Sequence, residues 1–573
     1  MIIKQLSNVI PYENLDQTTS AILQENGISL ENFRSMVPDY FDTDIYQNFG
    51  IKDSFIPQID NIKFLEKLSV LKNSEAFVKF VDAHKNEKIC VIGDYDVDGV
   101  FSTLVMLIGL ISIGVDATCV IPRRIYDGYS MKTIHVDRAI EKGASAIITV
   151  DNGIGTKDAV DYAISKGLSI LVTDHHIPED STLPQGIDII DPKYNGDEFS
   201  EICGACVAFK LIIYYYKKYN MLSSPKIKFL LSELIFYASC ATMTDNMAAI
   251  GENRYLLRHG LDIVNYFKAN KIWSGRILKI VSGLGSNNAR AALNDPNRLF
   301  DVDLFSFSIG ASINAVSRIG DDVEKLIDDI LRASGDKVYI DGYSSANHIR
   351  QGYSRQILKK HKKTNDPVVV EILHQDDFDF PIRGVIGILA NNIVFEERKP
   401  AIVGYEKDGF YEFSGRSVPG YSLYSIIDEL KRTRPEFEIS GGGHEYAMGI
   451  KIKADPNIMQ QFKEAIVADY KANYVPQEQV VYLLEEDNID DAIEAHRKLR
   501  IFGANFKKLT FTYSGFIENL DFYNKEIQIG RYNFKTFSMF DVPDVGSFVN
   551  VLFEINFDYG PGFRITKLIQ KEG

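Results

Sequence analysis

The run Lys88-Ile-Cys-Val-Ile92 leads straight into Gly93-Asp94-Tyr95-Asp96-Val97-Asp98-Gly99, so a segment short enough for a buried strand delivers three alternating carboxylates at its carboxyl end. Like charges gathered at one strand end repel one another. A hard divalent cation that prefers oxygen ligands, such as magnesium or manganese, relieves that repulsion. One aspartate after a strand commonly caps the next helix, but three of them closed by a glycine favour a metal. In an open α/β sheet the carboxyl edge of the strands is also where ligands bind.

The pattern repeats downstream. DATCVI, SAIITV, LSILVT and GIDII read as further strands, and residues 100–113, 134–142, 156–166 and 205–219 as helices, the alternation of a doubly wound parallel sheet. SAIITV runs into Asp151-Asn152-Gly153, LSILVT into Asp174-His175-His176, and the apolar helix FLLSELIFYASCATMTD reaches Asp245. Parallel strands share one carboxyl edge, so Asp94, Asp96, Asp98, Asp151, Asp174, His175 and His176 are expected to converge there. Two adjacent histidines alone read as an exposed polar turn; beside several aspartates they read as ligands.

A chain of 573 residues holds several domains. The most apolar run, Leu104–Ile113, is too short to span a bilayer. The opening MIIKQLSNVIPYE lacks the basic start and apolar core of a secretion signal, which places the protein in the cytoplasm. Five scattered cysteines read as reduced thiols rather than a disulfide framework. Cys203-Gly-Ala-Cys206 has no second pair to complete a zinc site and reads as packing at a helix start. A formal charge of −15 argues against indiscriminate adhesion to nucleic acid and leaves room for a local basic groove.

Five segments follow from the pattern. Residues 1–80 read as a helical lead-in with a loop at Asn48–Gln58, 81–250 as the first α/β domain, and 251–363 as a helical connector ending in the basic helix Arg350–Lys363. Residues 364–474 read as a second, smaller α/β domain. From 475 to 573, LTFTYSGFI, KEIQIGRYNFKTFSMF and SFVNVLFEINF alternate with period two, as in a small β-barrel.

GDYDVDG, VDNGI, TDHH and TMTDN, in that order, resemble the four motifs of the DHH phosphoesterases. The resemblance implies two divalent cations, Mn2+ or Mg2+, held by Asp96, Asp98, Asp151, His175 and Asp245, with Asp151 bridging and His176 at the scissile phosphate. Some relatives carry a histidine where Ile92 stands here, which leaves Asp94 or a water as the source of one further ligand. Two cations lower the pKa of a shared water and neutralise charge building on a phosphoryl oxygen, so phosphodiester hydrolysis follows, with Asp151, His175 and His176 at the chemistry.

The segment Ile121-Pro-Arg-Arg-Ile-Tyr-Asp-Gly-Tyr129 is similar to the one that lines the 5′-phosphate pocket in single-strand-specific exonucleases of the RecJ type, with Arg124 at the matching position. Ser312–Gly320 is similar to another of their segments and contributes Arg318, although it lacks the arginine just before it and has Ser317 for a glycine. Arg383-Gly-Val-Ile-Gly-Ile-Leu-Ala390, Phe413-Ser-Gly-Arg-Ser417 and Ser440-Gly-Gly-Gly-His444 resemble motifs of the DHH-associated domain, which implies Ser414, Arg416 and His444 as substrate clamps. A glycine-rich turn beside an arginine and a histidine also offers the backbone N–H groups and cations that phosphate needs.

Leu499–Asn505 is similar to the entry of the OB-like domain in those enzymes, a barrel that binds single strands by stacking bases. The implied activity is 5′→3′ hydrolysis of single-stranded DNA to mononucleotides in repair, recombination or replication. The implied partners are single-stranded DNA and a single-strand-binding protein or helicase, with the enzyme monomeric and away from membranes. Two alternatives stay open. A phosphodiesterase for short oligoribonucleotides or small nucleotides would end after the second domain, which the β-rich end disfavours. A non-catalytic replication or repair scaffold is disfavoured by the intact Asp98, Asp151, His175 and Asp245.

Overall fold

The computed structural model describes residues 2–40, 61–128, 130–177, 181–296, 298–334, 340, 342–484, 488–536, 539, 542–556 and 562–570, without the side chains of His444 and Gln570. The expected helical lead-in opens instead with a strand, β1 (Ile2–Gln5), followed by helices Gln17–Glu25 and Leu30–Met36, each capped at its start by Asp16 or Ser29. The loop expected at Asn48–Gln58 lies outside the described residues.

Strands β2 (Lys88–Ile92), β3 (Asp116–Val120), β4 (Ala146–Thr149), β5 (Ser169–Thr173) and β6 (Ile189–Ile190) form one parallel sheet in the order β3-β2-β4-β5-β6. Their aliphatic residues are buried on both faces, as a parallel sheet between helix layers requires. Val136, Ala139, Val160 and Ala163 from helices Thr133–Glu141 and Lys157–Ser165 cover one face. The other face packs on helices Val97–Ser112 and Gly204–Lys218. The chain steps from β2 to β3 on one side and then crosses to β4 on the other. The carboxyl ends of β2 and β4 therefore flank the point where the winding reverses, which is where such sheets open a ligand crevice.

Helix Pro225–Thr244 is the one described helix long and apolar enough to cross a membrane. Most of it is buried, packed against helices Val97–Ser112, Gly204–Lys218 and Gly251–Ala269 as a core element. All five cysteines are free and buried, and Cys203 occupies the N-cap of helix Gly204–Lys218, the packing role expected for it. Connector helices follow, among them Ala311–Ile319, preceded by a π-helical turn at Leu304–Gly310, and Tyr343–Lys360, which stops three residues before the expected Lys363.

The second sheet combines β7 (Val369–Leu373), β8 (Ala401–Lys407), β9 (Phe410–Arg416), β10 (Ser440–His444) and β11 (Ala447–Lys453) in the order β10-β11-β9-β8-β7, with only β7 and β8 parallel. SGGGH is thus not the expected glycine-rich turn but an edge strand, antiparallel to β11. A side chain at Gly441 would meet the carbonyl oxygen of Gly449 at 2.2 Å, so the close strand approach itself requires glycine.

The carboxyl-terminal part holds β12 (Val480–Leu483), β13 (Phe511–Asp521), β14 (Glu526–Ile529), β15 (Tyr532–Lys535), β16 (Phe548–Asn556) and β17 (Gly562–Gln570). Strands β13-β14-β15-β17-β16 run in sequence and β16 returns to β13, closing the OB-like barrel. Helix Ile489–Leu499, which the alternation did not foretell, lies between β12 and β13. The amino-terminal strand joins this end of the molecule, since β1 pairs in parallel with β12. Asn26 seals the seam by exchanging two hydrogen bonds with the Lys507 backbone, 2.9 and 2.6 Å.

Candidate metal centre and arginine cleft

Four elements deliver the acidic groups and one imidazole. Asp96 is the N-cap of helix Val97–Ser112 and accepts from the Gly99 N–H at 3.0 Å, so the capping role available to a single aspartate is filled by this one. Asp98, in the first turn of that helix, accepts from the N–H groups of Gly204 and Ala205 at 2.6 and 2.8 Å, at the positive end of a second helix. Asp151 follows β4 at φ 57°, in the left-handed region that aspartate tolerates. Gly204 lies so close to it that an added Cβ would sit 2.6 Å from the Asp151 Cβ. Asp245 closes helix Pro225–Thr244, and His175 follows β5.

The His175 Nε2 stands 3.1 Å from Asp151 Oδ1, 3.5 Å from Asp98 Oδ2 and 3.7 Å from Asp245 Oδ2. Three overlapping groups have ligand atoms within 4.8 Å of one another: Asp94, Asp96 and Asp151; Asp98, His175 and Asp245; and Asp151, His175 and His176. Every residue expected as a ligand is therefore in one place, and Asp151 belongs to two of the groups.

Left to itself this cluster cannot hold its charge. Burial and the neighbouring Asp96 push Asp94 up to about 8, and burial with the surrounding aspartates raises Asp151 and Asp245 well above the ordinary carboxylate value. Burial holds His175 down at about 4, neutral and able to ligate. Asp94 Oδ1 and both ring nitrogens of His175 are buried with no hydrogen-bond partner among the described residues. Orphaned buried polar atoms are costly, and an oxygen-rich set with one imidazole is what Mn2+ or Mg2+ takes.

His176 differs. Burial opposes its charge, but the Asp174 carboxylate 2.7 Å from its Nδ1 outweighs that and raises it to about 9. Asp174 also accepts from the backbone of Ile154 at 3.0 Å and His175 at 2.8 Å. It is an orienting group behind the two histidines, outside the ligand groups, although its place at the strand end put it among the converging residues.

Beside the cluster opens a cleft of about 650 Å³, walled by the first α/β domain, the connector and the second sheet. Arg124, Arg318, Ser414 and Arg416, the residues expected as substrate contacts, all line it. Tyr95, between Asp94 and Asp96, lies under the Arg124 guanidinium at 4.9 Å and so joins the acidic loop to the cleft. Arg318 donates to the Gly384 carbonyl at 3.0 Å, and Arg416 to Ser414 Oγ at 3.0 Å. Burial and the adjacent Arg124, Arg350 and Arg416 hold Arg318 well below the usual arginine range.

The His444 side chain and Tyr129 lie outside the described residues; the His444 backbone pairs with Ala447 at the sheet edge. Sequence reasoning passed over Tyr95 and Arg383, both in the cleft, and named Arg350, which lies beside Arg318, only as the start of a basic helix. Arg383 stood in a quoted motif, but a charge before a glycine reads as solvated.

Residues 88–235 match the model of the DHH family N-terminal domain and residues 365–472 that of the DHHA1 domain. The single-stranded-DNA-specific exonuclease RecJ of Salmonella typhimurium is 29% identical over 402 residues, covering 66% of this chain and 65% of that protein. RecJ of Dickeya dadantii is 30% identical over 393 residues, with 65% and 64% covered. The chain thus spans just under two thirds of the length of these relatives. Among solved structures, RecJ from Thermus thermophilus in complex with Mn2+ superposes with a TM-score of 0.69 at 20% identity, over 99% of this chain and 78% of that one, which shows a common fold. Apart from Asp245, the acidic cluster thus lies in the part of the chain that matches the DHH family N-terminal domain, and the Ser414–Arg416 wall of the cleft in the part that matches the DHHA1 domain.

Proposed function

We propose that this protein is a metal-dependent exonuclease that hydrolyses single-stranded DNA from the 5′ end to 5′-mononucleotides. One observation carries the reading: the carboxylate cluster and the arginine cleft are joined through Tyr95, so an anion among the arginines lies next to the cation-holding groups. Asp94, Asp96 and Asp151 would hold one cation and Asp98, His175 and Asp245 the other, with Asp151 shared. When bound, the pair supplies an activated water and neutralises charge on the phosphoryl oxygens. His176, kept charged by Asp174, donates a proton or hydrogen bond to the scissile phosphate or its leaving oxygen.

The arginine cleft fixes the strand end. Arg124, Arg318 and Arg416 with Ser414 grip the terminal phosphate, so the first internal diester meets the cations and one nucleotide is released per cycle. The named exonuclease activity of the RecJ relatives supports the substrate class and single-strand preference. The reading includes a monomer acting in the cytoplasm, supplied with single strands by a helicase or a single-strand-binding protein. The test is incubation of 5′-labelled and 3′-labelled single strands with Mn2+. Early release of labelled mononucleotide from the 5′ end alone is expected; release from the 3′ end first, or internal products, overturns the reading.

A further inference from the structure

The arginine cleft adjoins the metal centre at the Asp94–Asp96 loop, through Tyr95. The centre is also open elsewhere. The side chains of Asp245 and His176 are 29% and 39% exposed, against 5% or less for Asp98, Asp151 and His175. A polyanion laid from the arginines across the ligand groups leaves past these two residues.

Lys193 stands at that exit. Strand β6 pairs in parallel with β5, and the Asp174 N–H donates to the Ile190 carbonyl at 3.1 Å, so the chain leaves β6 at the edge that carries His175 and His176. It enters the short helix Pro192–Asn195 at once, where the Asp191 carboxylate accepts from the N–H groups of Lys193 and Tyr194 at 2.8 and 3.0 Å. The backbone beneath the lysine is thereby fixed. Its Nζ makes no hydrogen bond among the described residues, and its ion-pair partner, Glu201, lies 3.9 Å away and is 63% exposed. A pair so long and so wet contributes little, which leaves the ammonium available.

The charge of Lys193 reaches the centre. Burial, Asp98 and Asp96 raise Asp245, and His176 and Lys193 oppose them; burial lowers His175, and Lys193 adds to that. The same place leads on to the barrel. Asn253 donates to the Glu201 carbonyl at 2.6 Å and to that of Ala248 at 3.1 Å, while the Ala249 N–H donates to the Ala504 carbonyl at 2.9 Å. Through Glu201, Lys193 therefore adjoins the segment that ties the metal centre to the entry of the OB-like barrel.

We infer that Lys193 is a phosphate contact on the Asp245 side of the metal centre, and that it takes the diester one nucleotide beyond the scissile bond. This deepens the exonuclease reading and rests on it for the direction of the strand. A lysine meets a diester as a point charge and reads no base, which suits a strand of any sequence. The contact holds the shortened strand while the arginine cleft exchanges one terminal nucleotide for the next.

The test is a cycle of two changes, one in the protein and one in the strand. The ligands are 5′-phosphorylated tetranucleotides with a 3′ fluorophore, their first internal linkage a charged methylenephosphonate that cannot be hydrolysed. The second linkage is either a phosphodiester or a neutral methylphosphonate. Affinities are read by fluorescence anisotropy with Mn2+ present, for the wild-type chain, Lys193→Gln and Lys193→Arg. Neutralising the second linkage is expected to weaken wild-type binding about tenfold, as loss of a charged hydrogen bond does. Lys193→Gln is expected to bind the fully charged ligand about tenfold more weakly and to ignore the neutral linkage; Lys193→Arg is expected to restore the wild-type response.

A Lys193→Gln variant that still discriminates the two linkages as wild type does, at whatever overall affinity, overturns the inference, because the lysine then only balances the charge of Asp245. No turnover enters the measurement. If labelled strands yield no mononucleotides while the cycle shows the coupling, the exonuclease reading fails and the lysine contact stands. Release from the 5′ end without the coupling keeps the exonuclease and removes the contact.

Discussion

His361 lies between Glu371 and Glu397, 2.7 Å from each through its two ring nitrogens, where the connector passes into the second sheet. A neutral imidazole donates from one nitrogen only, so both contacts are hydrogen bonds only when the ring is charged. Burial opposes that charge, but the two carboxylates outweigh it and the pKa is raised above 6.5. A raised folded value stabilises the protein fully below the unfolded value and loses that contribution as pH rises through the folded one. The melting temperature of the wild type is therefore expected to fall more steeply above pH 6.5 than that of His361→Gln; parallel curves would contradict the assignment. At the metal centre, Asp151→Asn removes the carboxylate shared by two ligand groups. Loss of groups that merely orient ligands already costs about 10–100-fold, so activity is expected to drop at least about 100-fold. The same change removes a carboxyl that burial and its acidic neighbours keep from ionising, a cost to the fold near neutral pH, so the metal-free variant should melt above wild type while losing its Mn2+-induced shift, both read by thermal denaturation. The convergence of the acidic groups was legible because carboxylates at strand ends are an uncommon expense. The orienting role of Asp174 was not, since it depends on where the Ile154 backbone lies.

At the scale of elements, the contact between helix Gly204–Lys218 and the loop after β4 sets the centre's shape. Gly204→Ala places a methyl 2.6 Å from the Asp151 Cβ, so one of the two must move. Overpacking of this kind costs about 1–3 kcal/mol. The expected outcome is a loss of that size in chemical denaturation, with a further loss of Mn2+ affinity that a remote glycine such as Gly143, which has open space around it, would not produce. The five parallel strands and their helices were readable to within a few residues because aliphatic runs and helical periodicity are local signals. SGGGH was misread because glycine runs ordinarily mark turns, whereas here the close approach of β11 imposes them.

For the whole molecule, Arg254 is the keystone. Fully buried, it pairs with Asp39 of the amino-terminal segment, donates to the carbonyls of Leu499 and Ile501, and lies 4.6 Å from the Phe506 ring. Arg254→Met leaves Asp39 buried without its nearest cation, an imbalance that costs about 3–5 kcal/mol. Urea denaturation should show a loss of this size, partly restored by Asp39→Asn in the same chain. The succession of a parallel sheet, helices, a second sheet and a barrel along the chain was legible from changes of period. The joining of β1 to β12 was not, because a pairing between opposite ends of the sequence leaves no local trace. That pairing also orders events at the ribosome. Ile2–Gln5 emerges long before Val480–Leu483 has been made, so the leading strand has no partner until β12 has left the ribosome.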